Sequence, residues 1–347
     1  MVRSEFPLME IKACIPHSSP WITDIDVAAV ASALTSRQIA KGAATQKFES
    51  EVAKFLGYRH AWAVGSGQAG LVTSLRAVGT SVGQKVLLPT YVCRAVADAI
   101  NEIGAIPVFC DVGEDWCLSA ASVEKSISSD TAAIVVVHPF GIAADVKSLL
   151  RFGIPIVEDC CQCFSPRVGH VGEIAVFSFH ATKCLATGEG GMVATSDSEI
   201  AERLQLQQSA IPYPTRLSDL QAALGLSQLA RYKEMLNWRA RTAKRYGTAA
   251  TNKSITRLKA VWDRSMFFRF PLTVMGGYER VAPRFEALGV NVRRGVDVLL
   301  HRQAGLPDGA FPTATDIFNT TLSVPFYPAM SEEQIRAVER AMTEILA

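Results

Sequence analysis

The stretch IPIVEDCCQCFSP, Ile154 to Pro166, opens with a short apolar run, ends that run on the acidic pair Glu158 and Asp159, and then sets Cys160, Cys161 and Cys163 close together. A β-branched apolar run of this length, preceded by Gly153, reads as a buried strand with Asp159 at its carboxyl end. The pattern recurs on both sides. KVLLP, IPVFCDV, TAAIVVVH, IAVFSF and GGMVAT are spaced by helical patterns between about Gly67 and Thr195. Such βα alternation predicts a parallel or mostly parallel sheet with helices on both faces. Ligands of these sheets bind at the carboxyl ends of the strands. That rule singles out the Gly67 region, Thr90 and Tyr91, His138 to Phe140, Glu158 and Asp159, and the loop carrying Lys183.

The rest of the chain narrows the function class. At 347 residues it fits one large domain with a smaller one attached. A net charge of +2, with 20% charged and 49% hydrophobic residues, leaves no electrostatic footprint for nucleic acid or an anionic membrane, so small-molecule partners are expected. Glu5 and Glu10 interrupt the segment where a signal peptide needs an apolar core, and a cytoplasmic location is expected. The eight cysteines show no framework spacing, as reduced thiols do. Apolar residues at helical spacing in RLSDLQAALGLSQLARYKEMLNWRARTAKRYG predict a long helix joining the domains. Beyond it, FFRFPLTV, YERVAPRFEALG and a capping-box start at SEEQ predict a small α+β domain. The expected division is residues 1–14 as an N-terminal arm, 15–235 as the large domain and 236–347 as the small one.

Three features converge on one kind of cofactor. Lys183 follows a strand and precedes a glycine-rich turn in FSFHATKCLATGEGG; alone it reads as a solvated surface charge. Asp159 alone reads as a helix cap. GSGQAGL starts a helix whose free N–H groups and positive dipole end suit a phosphate. A lysine able to form a Schiff base with an aldehyde, an aspartate able to keep a pyridine nitrogen protonated, and a phosphate cradle together describe pyridoxal 5′-phosphate.

With these motifs in order, and with IPHSSPWITDIDVAAVASAL, LLPTYVCRAVADAI, VVHPFGIAADV, RLSDLQAALGLSQL and SVPFYPAMSEEQI around them, the chain resembles the DegT/DnrJ/StrS family of PLP-dependent sugar aminotransferases, a branch of the aspartate aminotransferase fold type I. The resemblance implies an α/β large domain with a mostly parallel seven-stranded sheet flanked by helices, a smaller α+β C-terminal domain, and a homodimer with active sites at the interface. It implies Lys183 as the Schiff-base lysine and Asp159 as the partner of the pyridinium nitrogen. Gln162 would face the ring's phenolic oxygen, Tyr91 would stack on the ring, and Ser178 with the Gly67, Gln68 and Ala69 amides would hold the phosphate. His138 and His180 read equally as structural hydrogen-bonding residues or as substrate or cofactor contacts; with Glu189, Tyr213, Arg216 and His301 they are the candidates toward the substrate, whereas Arg293 and Arg294 are read as solvated. Cys160, Cys161 and Cys163 match positions that are small in the family, so they read as apolar fillers and not as metal ligands.

The implied reaction moves an amino group from glutamate or a similar donor to a keto group of a nucleotide-linked sugar or cyclitol, with the pyridoxamine 5′-phosphate form between the two halves. Two rivals stand beside it. One is a same-fold keto-sugar dehydratase, in which a histidine replaces the lysine, so that Lys183 speaks against it. The other is a non-catalytic PLP-binding or regulatory homologue. The chain departs from the family pattern at Ser66, Gln68 and Cys184 and in a shortened segment, residues 196–215, which commonly reaches across the dimer.

Overall fold

Seven short apolar runs become strands of one sheet in the computed structural model, which describes residues 14–210 and 216–347. They are β1 (His60–Val64), β2 (Lys85–Pro89), β3 (Ile106–Cys110), β4 (Thr131–Val137), β5 (Ile156–Asp159), β6 (Ile174–Ser178) and β7 (Gly191–Thr195), in the spatial order β1-β7-β6-β5-β4-β2-β3. The β2–β3, β2–β4, β4–β5 and β5–β6 pairs are parallel, whereas β7 runs antiparallel to both β6 and β1. The expected mostly parallel sheet is therefore present, with β7 as the reversed strand. β5 is buried along its whole length, because helices cover both faces.

Helices α1 (Asp24–Thr35), α2 (Ala43–Leu56), α3 (Gly67–Ala77), α4 (Arg94–Glu102), α5 (Ala120–Ser126), α6 (Ser198–Ala210) and α7 (Asp219–Ala230) surround this sheet. The predicted long connecting helix is two helices, α7 and α8 (Tyr232–Ala249), with a break at Arg231, whose ψ of 12° leaves the helical range. The break has a physical cause. Arg231 turns back to pair with the buried Asp26 of α1, donates to the Trp21 carbonyl and lies over the Trp21 ring.

A second, smaller layer follows: α9 (Thr256–Ala260), β8 (Phe270–Thr273), α10 (Tyr278–Ala287), α11 (Leu300–Gln303), α12 (Pro312–Thr320), β9 (Thr321–Val324) and α13 (Glu332–Leu346). β8 and β9 form an antiparallel pair. The N-terminal segment joins this layer, since Ile15 bridges Val290 through the Ile15 N–H to the Gly289 carbonyl and the Asn291 N–H to the Ile15 carbonyl. One apolar core runs from the small layer into the large one and takes in Tyr91, Trp116 and Phe140. The two layers are consequently packed as neighbours across the strand ends of the main sheet.

A tight turn fixes that junction. Phe140 after β4 adopts φ 55°, and its carbonyl accepts from the Phe268 N–H while the Gly141 carbonyl accepts from the Met266 N–H. A side chain at Gly141, whose φ is 83°, would meet Met266 and the Phe268 nitrogen at 2.8 Å. Only glycine fits this approach. Phe268 is thereby held against the edge of the sheet where the strands end.

Candidate active site

α3 begins where β1 ends. Its N-cap Ser66 accepts the Ala69 N–H through Oγ at 3.1 Å, which consumes Ala69 and leaves Gly67 and Gln68 as first-turn donors. Gly67 has no room for a side chain: a Cβ there would lie 2.9 Å from Cys161 Sγ, 3.0 Å from Ser178 Cβ and 3.4 Å from Ser178 Oγ. The helix start, the residue after β5 and the last residue of β6 thus converge on one point. Two first-turn amides, a hydroxyl and the positive end of an eleven-residue helix make an anion cradle.

Asp159 closes β5, only 3% exposed, and its Oδ1 accepts from the Cys161 N–H at 2.9 Å. The Asp159 carbonyl accepts from the His138 N–H at 3.1 Å, so β4 and β5 end in register. Gln162 gives its Oε1 to the Phe140 N–H at 2.9 Å. Its amide NH₂ remains the donating end. Lys183 sits half-buried on the β6–β7 connection, its N–H bonded to the His180 carbonyl and its Nζ 5.4 Å from the Phe268 ring centroid. Asp159 and Lys183 face common neighbours. Both perturb the thiols of Cys93 and Cys161, which burial pushes above the ordinary range before Asp159 raises them further and Lys183 lowers them.

Cys93 is the residue that sequence reasoning passed over. It caps α4 at the end of the β2–α4 connection, with the lysine and the aspartate as charged neighbours of its thiol. The expected stacking aromatic, Tyr91, lies in the core where the two layers meet. Its ring is 2% exposed in the core shared by the two layers, 6.5 Å from Phe140, and a Cβ on Gly295 would lie 2.1 Å from its hydroxyl.

Two of the candidate histidines are held inside the protein by hydrogen bonds. His138 is 1% exposed; its Nε2 donates to Glu158 at 3.0 Å and its Nδ1 accepts from the Ala144 N–H at 3.0 Å. Glu158 further accepts from Gly169, Val171 and Gly172. His138, Glu158 and Cys160 present ligand atoms within 4.8 Å of one another, but the His138 ring nitrogens and both Glu158 oxygens already serve these bonds, which hold the 169–172 loop. His301 is fully buried, bonded at Nδ1 to Thr90 (2.8 Å) and at Nε2 to Asp308 (3.1 Å), and stacked on Phe311. It ties α11 to the end of β2. His180 and Glu189 remain exposed on the Lys183 loop, 3.7 Å apart, and Arg216 is exposed ahead of α7. Tyr213 lies outside the described residues. Cys160 and Cys163 are buried in the core behind Asp159.

On the far side of Lys183 the small layer adds two arginines and a buried neutral histidine that the sequence reading left out. His17, Arg239 and Arg269 line one pocket with Lys183, Phe268 and Tyr327. The site therefore has an acidic wall from β5 and a cationic wall from the second layer, with Lys183 between them.

The model of the DegT/DnrJ/EryC1/StrS aminotransferase family matches residues 20–343. The spore coat polysaccharide biosynthesis protein SpsC of Bacillus subtilis (strain 168) is 31% identical, covering 96% of this chain and 97% of its own. GDP-perosamine synthase of Escherichia coli O157:H7 is 28% identical over 95% of this chain and 98% of its own. Among solved structures, S. venezuelae DesV in complex with a ketimine intermediate superposes with a TM-score of 0.83 at 27% identity, covering 95% of this chain and 98% of that one.

Proposed function

Because this chain belongs to the DegT/DnrJ/EryC1/StrS aminotransferase family, we propose that it is a pyridoxal 5′-phosphate enzyme that moves an amino group from glutamate or a similar donor to a keto group of a nucleotide-linked sugar or cyclitol. The convergence of the α3 start, Asp159 and Lys183 on one edge of the sheet carries this reading. The curated relatives named for GDP-perosamine and for a UDP-linked 3-dehydro-glucosamine support the nucleotide-sugar class.

The residues fit the cofactor by chemistry and by space. The Gly67 and Gln68 amides with Ser178 Oγ offer a phosphate cradle that a Cβ at Gly67 would fill. When bound, the cofactor supplies an electron sink next to the amino-bearing carbon, so that a C–H bond there loses its proton readily. Lys183 would hold the cofactor through Nζ, and the freed Nζ amine would be the base for the proton on the donor's α-carbon. Asp159, buried at the end of β5, would keep the pyridine nitrogen protonated. Gln162 turns its NH₂ to the phenolic oxygen because Phe140 engages its carbonyl. Retention of Lys183 favours transamination over the dehydratase reading.

We further take residues 15–235 as the cofactor-binding unit, 236–347 as the small one and residues 1–14 as the arm, working as a homodimer. Ile22, Ile25, Val27, Leu34 and Ile39 on and around α1 are exposed apolar side chains, while the buried residue of that helix is Asp26. A second copy of the chain is the covering this surface supports.

The visible absorption spectrum of the protein with pyridoxal phosphate, before and after L-glutamate, tests the reading. A yellow band that converts to the pyridoxamine form, and is absent in Lys183→Ala, is expected. A band unmoved by any amino donor would sink transamination.

A further inference from the structure

Behind the wall that carries Phe268 lies a second cavity, of about 320 Å³. It opens where three segments meet: the turn after Gln162, the N-terminal half of α8 and the stretch just before Phe268. Neighbouring residues of these segments serve its two sides. On α8, Met235 and Arg239 line the pocket at Lys183, whereas Leu236 and Ala240 line the cavity. In the small layer Phe268 lines the pocket at Lys183, and Met266 and Phe267 line the cavity. Cys163, 2% exposed, is the most deeply buried residue of the lining, its Sγ directed at the Gly141 carbonyl at 3.5 Å.

The lining is apolar on one side and cationic on the other. Val168, Leu236, Met266 and Phe267 form the apolar wall, and Arg167 and Arg264 bring the charge. No aspartate or glutamate is among the described residues that line the cavity. Arg264 is already engaged, since Nη2 pairs with Asp115 at 3.0 Å and Nη1 donates to the Ala143 carbonyl at 2.9 Å. Arg167 is exposed and pairs with no carboxylate among the described residues. Its charge still reaches inward. Burial and then Cys184 push the Cys163 thiol above its ordinary range, and Arg167 is the cation acting against them.

A surface arginine is ordinarily solvated. Here it stands over an apolar concavity at the lower end of the size of ligand pockets, about 300–1,000 Å³, which combine apolar walls with a few placed polar groups. A guanidinium also offers its donors as a planar fork that takes two oxygens of one anionic head. We propose that this cavity is a second ligand site, separate from the cofactor site, for a small organic anion with an apolar body and a single carboxylate or phosphate head. The body lies against Leu236, Met266 and Phe267, and the head pairs with Arg167. Arg264 adds its charge while Asp115 holds it in place. This site goes beyond the aminotransferase reading and does not depend on it.

The test uses the full chain loaded with pyridoxal phosphate, and anilinonaphthalene sulfonate as a fluorescent probe with an apolar body and one anionic head. Wild type should bind one probe per chain. Arg167→Gln should weaken binding about 10-fold or more, and Ala240→Trp, which fills the cavity from its exposed rim on α8, should abolish it. Neither variant should shift the cofactor band, because neither residue lines the pocket at Lys183. Phenylnaphthylamine, the same body without the charge, should bind wild type and Arg167→Gln alike. Naphthoate and naphthyl phosphate should displace the probe, the tighter of the two identifying the head group. Equal binding of the sulfonate by wild type and Arg167→Gln would overturn the proposal, and that exposed position decides even where Ala240→Trp fails to fold. Absence of binding would overturn it as well, as would displacement of the probe by excess cofactor, which would put the probe in the cofactor site.

Discussion

Glu158→Gln is the substitution whose cost can be worked out bond by bond. Glu158 lies directly before Asp159 and accepts from His138 Nε2 (3.0 Å) and the Gly169 N–H (3.0 Å) on one oxygen, and from the Val171 (2.8 Å) and Gly172 (2.6 Å) N–H groups on the other. A glutamine has one oxygen and one NH₂, so in either orientation two donors meet a donor. His138 cannot rescue the contact by changing tautomer, because its Nδ1 must stay an acceptor for the Ala144 N–H. Two charge-assisted bonds are lost at about 1.5–3 kcal/mol each, or about 3–6 kcal/mol together. That is a large part of a typical domain stability of about 5–15 kcal/mol. Urea denaturation should show the midpoint falling with an unchanged slope, and amide exchange should accelerate at Gly169, Val171 and Gly172. The loss also depends on pH. Burial alone would raise the Glu158 carboxyl, but the hydrogen bonds from His138 and the loop amides outweigh it, so it sits below its ordinary 4.5. Its contribution is full above that value and disappears as pH falls through the lowered one, so the gap between wild type and variant should narrow in acid. A Glu158→Gln protein within about 1 kcal/mol of wild type at pH 7 would refute the account of this network.

Two further perturbations separate packing from chemistry. Tyr91→Phe should leave both stability and the donor half-reaction close to wild type, since the hydroxyl is buried without a partner; Tyr91→Ala should lose about 3–5 kcal/mol in a melting or denaturant experiment. A collapse of turnover in Tyr91→Phe at unchanged stability would restore Tyr91 to the site. His17 titrates at about 3 in the folded chain, lowered from 6.5 by burial and then by Arg269 and Arg293. Unfolding then takes up a proton between those values, so this residue should cost stability at up to about 1.4 kcal/mol per pH unit as pH falls from about 6.5 toward 3. The slope should flatten in His17→Gln, and an unchanged slope would contradict the burial of a neutral ring.

The sheet was legible because burial on both faces writes β-branched runs directly into the sequence, and the position of Asp159 at the end of one such run follows from that alone. Lys183 and the start of α3 were legible for the same reason, since strand ends can be counted. Side-chain direction was not. TYVC offers an aromatic and a thiol two residues apart, and aromatic chemistry pointed to Tyr91, but the close approach of Gly295 and Phe140 draws the ring into the core and leaves Cys93 at the site. His138 was equally ambiguous in sequence, because a histidine at a strand end reads alike whether its partner is a ligand atom or, as here, Glu158, and nothing local to His301 on α11 announces Asp308 or Thr90 as its partners. The break at Arg231 is set by Asp26, distant in sequence, which no local periodicity encodes.

The cationic wall was illegible for a deeper reason, which also bears on how the site works. Arg239 lies on α8, Arg269 just before β8 and His17 on the N-terminal segment, so three separate stretches contribute and no motif joins them. They meet because the Phe140–Gly141 turn after β4 pins Phe268 to the sheet edge through two backbone bonds, and the arginines follow Phe268. The same turn fixes Gln162 through the Phe140 N–H. One tight turn thus sets both Gln162 and the arginines beside Phe268, with Lys183 between them. A substitution at Gly141 would strain a backbone at φ 83° and push on Met266 and Phe268 together. It should therefore disturb both walls at once, whereas changes at Asp159 or Arg269 reach one wall each.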